Sequence, residues 1–137
     1  MLRRATRRSA MAKARAEIEL GAQPDAAWAV VGNFGGIGDW MPGIESCVVD
    51  GDDRVLRLMG LEVTERLERR DDEDRTLSYR IVGGVPVVNH LATISVVPDG
   101  DGSRVTWEVE VEPDDMGDLL HATYQQALEA LKVHLGG

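Results

Sequence analysis

Three residues that can move or share a proton stand among apolar neighbours at alternate positions. Over 62–70, Glu65 lies between Val63 and Leu67; over 75–82, Tyr79 lies between Leu77 and Ile81; over 88–97, His90 precedes Ala92, Ile94 and Val96. Successive side chains on a strand point to opposite faces, so this spacing turns all three inward with their apolar companions. An inward carboxylate must pair, accept hydrogen bonds or protonate. Arg57 is its partner if Val55, Arg57 and Met59 face inward, but Leu56 and Leu58 compete for that face, and both registers stay open. Glu65, Tyr79 and His90 therefore admit two readings. They orient the polar end of a ligand, or they are a structural Glu65–Arg57 pair beside two satisfied core residues.

Other constellations fail on spacing. His121 and His134 are thirteen residues apart on one helix and project about 140° apart, so they cannot share a metal. Asp99-Gly-Asp-Gly-Ser has the look of a calcium loop, with Glu110 in twelfth place. Arg104 stands where that loop needs glycine, and strands flank it, so it reads as a hairpin turn. Cys47 sits in an apolar strand with no activating base, and a lone cysteine excludes disulfides within the chain and multi-cysteine zinc sites. No serine occupies a nucleophile elbow. The glycines of GNFGGIGDWMPG (Gly32, Gly35, Gly36, Gly38, Gly43) follow a helix rather than a strand, without Gly-Lys-Ser/Thr, so they cradle no phosphate.

The elements that position these residues follow from periodicity. Ala14, Ala16, Ile18 and Leu20 alternate with charged residues as a half-buried strand, and Pro24 opens a short helix through AAWAVVGNF. Six strands follow, near 44–50, 53–59, 62–70, 75–82, 88–97 and 104–112, with turn-length links that imply antiparallel neighbours. In the last, Val105, Trp107, Val109 and Val111 face inward and Glu108, Glu110 and Glu112 face water. From about 115 to 135 an amphipathic helix gathers Met116, Leu120, Tyr124, Ala127, Leu131 and Leu135 on one side, with Asp114, Asp115 and Asp118 at its N-terminal end. If both apolar faces must meet, a curved antiparallel sheet wraps the terminal helix.

Composition narrows the function. The 137 residues suit one domain, with 43% hydrophobic residues and no apolar run near the length of a membrane span. The net charge is −9, yet residues 1–15 hold six basic residues and no acid, which leaves the rest at −15. Such an acidic body argues against nucleic acid and anionic lipid as partners, and six aromatics are too few for a base-stacking platform. The head, residues 1–12, reads as a disordered basic extension of a chain starting at Met1 or Met11, ahead of one domain over 13–137. The expectation is a soluble, cytoplasmic protein, monomeric or weakly dimeric, without metal or cofactor.

The ordered segments carry a resemblance. Pro24–Trp28, Val30–Phe34, Gly38-Asp39-Trp40-Met41-Pro42, Val63 through Glu68, Asp71-Asp72 with Arg75 through Ile81, Pro86 through Val96, Val105-Thr106-Trp107 and Leu128 through Lys132 succeed one another over residues 14–135. The set resembles the START-like (SRPBCC) superfamily of polyketide cyclases, dehydratases and lipid-transport proteins, which share the helix-grip fold of the birch-pollen allergen. That resemblance implies an α+β fold: a curved seven-stranded antiparallel sheet around a long C-terminal helix, with two short helices after the first strand. It also implies an apolar cavity between sheet and helix for a lipid, polyketide or isoprenoid-like molecule. His90 and Ala127 stand where relatives often have Tyr and Gly.

With such a cavity the candidate ligand contacts are Trp40, Met41, Arg57, Glu65, Tyr79, His90, Trp107, Leu120, Tyr124 and Ala127. Trp40 and Met41, in the Gly-rich segment, are a candidate lid at its mouth, and Trp107 reads as core. Two functions from different classes follow: a binding or carrier module, or a cyclase, aromatase or dehydratase. In the enzyme, His90 or Glu65 moves protons during an aldol-type closure while Tyr79 or Arg57 steadies the enolate. A protein-interaction module is a third reading, disfavoured by the acidic outer sheet face.

Overall fold

The computed structural model describes residues 11–137. Of the head expected over residues 1–12, residues 1–10 lie outside the described residues, as does the expectation of translation from Met1, while Ala12 already belongs to the first strand. Strand β1 (Ala12–Leu20) leads to helix α1 (Pro24–Val31) and a 3-10 turn (Phe34–Asp39). Then come β2 (Ile44–Asp50), β3 (Asp53–Leu58), β4 (Leu61–Asp71), β5 (Thr76–Gly83), β6 (His90–Asp99), β7 (Gly102–Val111) and helix α2 (Met116–His134). All seven strands form one antiparallel sheet in the order β1-β7-β6-β5-β4-β3-β2. Each neighbour after β1 is the next strand back along the chain, as short turns require. This is the α+β helix-grip arrangement the sequence leads one to expect.

Alternation decides what lies inside. Val105, Trp107, Val109 and Val111 of β7, and His90, Ala92, Ile94 and Val96 of β6, are buried on one face. Trp107 stands opposite Ile94 on one side and Ala16 of β1 on the other. Helix α2 closes over this face with Tyr124, Ala127, Leu128 and Leu131 buried. Its start lies tight on β1, because Gly117 carries no Cβ where one would come within 2.7 Å of the Ala12 Cβ.

The β3 register settles the open choice against Arg57. Arg54 pairs across from Glu65 and Leu56 from Val63, so Arg54, Leu56 and Leu58 face inward. Arg57 points to solvent between Glu45 and Glu62, 3.9 and 3.6 Å away. Met59 is exposed at the β3–β4 turn with φ 52°. A one-residue shift exchanges every side chain between faces, and β3 takes the shift that buries Leu56 and half-buries Leu58.

Gly84 is among the structurally demanding glycines. It has φ +97°, and a Cβ there would fall 2.0 Å from the Glu62 carbonyl oxygen. Gly84→Ala is expected to destabilise the fold by more than about 1 kcal/mol in equilibrium urea denaturation. Gly51→Asn, at a turn with φ +62° and open space around it, should cost a fraction of that, because Asn tolerates the left-handed region.

Candidate functional site

The inner face of the sheet brings Glu65, Tyr79 and His90 to the same side, together with Arg54, which the sequence reading passed over. Arg54 is 3% exposed and Glu65 7%. The guanidinium Nε donates to Glu65 Oε1 at 2.8 Å, Nη2 lies 2.7 Å from the same oxygen, and Nη1 donates to the Phe34 carbonyl at 2.8 Å. Its plane rests over the Phe34 ring at 3.9 Å and near the Tyr79 ring at 4.9 Å. Such a buried charge is tolerable only with this degree of pairing and hydrogen bonding. Burial pushes the Glu65 carboxyl above its usual range, and Arg54 offsets part of that. The signal for Arg54 was present: it alternates with Leu56 and Leu58.

Next to this pair runs a chain of hydroxyls and an indole. Trp107 Nε1 donates to Tyr79 Oη at 3.2 Å, and Tyr79 Oη and Tyr124 Oη are 3.3 Å apart. Trp107 and Tyr124 stack with centroids 4.0 Å apart and planes 2° from parallel, tying α2 to the sheet. Burial is the main cause raising both phenols above the ordinary tyrosine value, so neither is a phenolate at neutral pH.

His90 takes part in the sheet itself. Backbone pairing of β5 with β6 ends at Tyr79 and Ala92. Beyond it the Ile81 N–H donates to Nδ1 of His90 at 3.0 Å, and Arg80 Nη1 donates to the His90 carbonyl at 3.1 Å. The imidazole thus continues the ladder in place of a backbone oxygen. Desolvation, with Arg80 nearby, lowers its pKa to about 4. The ring is neutral at physiological pH, its proton on Nε2, so it offers a hydrogen-bond donor there rather than a base.

Aromatic side chains crowd the interior where the cavity is expected. Phe34 lies 6.1 Å from Tyr79, and Trp40 lies 6.0 Å from Trp107. Among the described residues a hollow of about 10 Å³ lies here, walled by residues including Trp40, Arg54, Tyr79, Ile94 and Trp107, with room for about one water. A larger trough, about 290 Å³, lies on the opposite sheet face among Lys13, Arg15, Glu108 and Glu110, away from these residues. Of the expected ligand contacts, Trp40, Tyr79 and Trp107 border the inner hollow. Glu65, His90 and Tyr124 stand immediately behind it in contact with Arg54 or Tyr79. Ala127 is buried in α2, and Met41 and Leu120 are half-buried against the core; Arg57 is outside.

The Gly-rich segment is not slack. A Cβ on Gly35 would lie 2.6 Å from Val49 Cγ2, and one on Gly38 3.3 Å from Ile44 Cγ2, so the glycines let the 3-10 turn lie close on β2. Trp40, just after it, is 7% exposed with its Nε1 buried and unpartnered. The Cys47 thiol is pushed up by burial, as an unreactive thiol would be. Among the described residues no three His, Cys, Asp or Glu side chains gather to hold a metal, and no helix is long and apolar enough to cross a membrane.

A seven-stranded antiparallel sheet gripping a long terminal helix defines a helix-grip protein of the START-like class. More narrowly, the chain belongs to the family of polyketide cyclases/dehydrases and lipid-transport proteins, whose model matches residues 11–136. Among solved structures, the protein XoxI from Bacillus cereus is 30% identical with a TM-score of 0.85, covering 90% of this chain and 95% of its own. A START superfamily protein from Mycobacterium smegmatis has the same fold at 16% identity, with a TM-score of 0.78 and 90% and 97% of the two chains covered. So does norcoclaurine synthase from Thalictrum flavum, solved with dopamine and hydroxybenzaldehyde, at 20% identity, TM-score 0.75, and 93% and 87% covered. No protein of curated function matches the sequence.

Proposed function

We propose that the chain binds a small hydrophobic molecule between the inner sheet face and α2, admitted by displacement of Trp40. One observation carries this reading: the walls of the inner hollow are unequally held. Arg54 is fixed by Glu65 and the Phe34 carbonyl, while Tyr79 and Trp107 hold each other. Trp40 has no hydrogen bond through its buried indole nitrogen. Packing holds its side chain, and its displacement is the step that would admit the ligand. The family to which the chain belongs supports a ligand of this kind.

The test uses N-phenyl-1-naphthylamine, a neutral apolar dye. Saturable uptake at one dye per chain is expected, and Ile94→Trp, which fills the hollow from β6, should weaken it at least tenfold. Native mass spectrometry of the purified chain should show co-purified small molecules. Failure to take up dye, with no bound molecule in the mass spectrum, would end the reading.

A second reading, proton transfer within the same interior by a cyclase- or dehydratase-like enzyme, is favoured by one feature. The Glu65 carboxyl is buried and raised, as suits a general acid or base. Turnover of a polyketide-like substrate that survives Glu65→Gln would remove it.

A further inference from the structure

Two donors buried in the interior lack an acceptor. The indole Nε1 of Trp40 and Nε2 of His90 are both buried with no hydrogen-bond partner among the described residues. An indole nitrogen can only donate. Nδ1 of His90 is occupied as an acceptor by the Ile81 N–H, so the neutral ring carries its hydrogen on Nε2, and this too can only donate. The Trp107–Tyr79–Tyr124 chain holds three donor hydrogens for two bonds, which leaves one phenolic hydrogen over. A buried donor without an acceptor is unfavourable, and an incoming acceptor relieves it.

Charge narrows the class further. Arg54 already turns Nε and Nη2 toward Glu65 and Nη1 toward the Phe34 carbonyl. A carboxylate entering here would be a second anion beside one cation that already has its partner. Of the two residues with unmatched N–H groups, Trp40 borders the hollow and His90 stands behind it, next to Tyr79. The His90 ring lies 5.8 Å from that of Tyr79, and the Trp40 ring 6.0 Å from that of Trp107.

The geometry points to a neutral carbonyl compound as the ligand, its oxygen accepting from His90 Nε2–H or Trp40 Nε1–H, the rest of the molecule apolar. This rests on the binding reading above and adds the chemical class that the site selects. His90 then serves as a fixed donor that reads ketones or esters and not as a proton carrier.

Three probes with one ring system separate the claims: 2-acetylnaphthalene, 2-ethylnaphthalene and 2-naphthoate, titrated calorimetrically into the full chain. The ketone is expected to bind about tenfold more tightly than the hydrocarbon, the gain of one hydrogen bond, and the carboxylate more weakly than either. In His90→Asn, Oδ1 can still accept from Ile81 N–H but the Nε2 donor is gone, so the ketone preference should shrink. A readout without any variant is the indole N–H proton spectrum of the wild type. The Trp40 signal should move downfield with the ketone and not with the hydrocarbon, while Trp28, bonded to Asp72, stays in place. Equal binding of ketone and hydrocarbon, or tightest binding of the carboxylate, overturns the carbonyl assignment and leaves the cavity reading intact. Absence of binding by all three overturns both.

Discussion

Glu65→Leu is expected to destabilise the fold by about 3–5 kcal/mol, because it leaves the Arg54 guanidinium buried without its counter-ion. Arg54 is 3% exposed and its side chain lies under the 3-10 turn, where it also holds the Phe34 carbonyl, so it cannot swing out to water without disturbing that turn. The double variant Arg54→Met/Glu65→Leu removes both charges and fills similar volume with apolar groups. It should recover most of the loss, leaving mainly the Phe34 carbonyl without its donor. Equilibrium denaturation of the wild type, both single variants and the double variant measures the coupling directly. Loss in the double variant equal to the sum of the singles would show that the pair is not the unit described here.

Stability should also fall by about 3 kcal/mol as pH drops from about 6.5 to 4, owing to His90. The folded pKa is depressed from 6.5 to about 4, so between those values the unfolded chain takes a proton that the folded chain refuses. The stabilisation is complete above the unfolded pKa and is lost as pH falls toward the folded one. Burial is the main cause, with Arg80 second, and a protonated ring would also set Nδ1–H against the Ile81 N–H that it now accepts. Glu65 acts in the opposite sense. Its raised carboxyl favours proton uptake by the folded chain, so it offsets part of the slope. His90→Asn isolates the histidine, and the difference between the two pH profiles should flatten above 6.5. The lowered carboxyls of Asp53 and Asp72, bonded to Arg66 and to Trp28, lose their contribution only at more acid pH, below 3.8.

Sheet alternation made much of the site legible in advance. The inward set of β4, β5 and β6, with Glu65, Tyr79 and His90 among apolar neighbours, follows from period two alone, as does Trp107 on β7. Arg54 escaped notice because a buried arginine violates the same hydrophobic rule that assigns the face; once Leu56 and Leu58 are inside, it has to be. The close approach of Phe34 and Trp40 to Tyr79 and Trp107 was not legible for another reason. Both come from a turn distant in sequence, and their approach is a matter of tertiary packing that no local period encodes, whereas the helical period did place Tyr124 on the inward face. Likewise the His90 contact with Ile81 arises where the ladder ends, which depends on register.

The strand order leaves β1 and β2 at opposite ends of an open sheet, and the two edges face different hazards. Along β1, Lys13, Arg15, Glu17 and Glu19 alternate with apolar residues, and charge on an edge discourages another chain from adding a strand. β2 places Val48 and Val49 side by side, 61% and 52% exposed, and carries acids but no lysine or arginine. Unwanted strand-to-strand growth therefore has one favoured starting point, and the protein's resistance to aggregation depends on how well β2 is kept to itself.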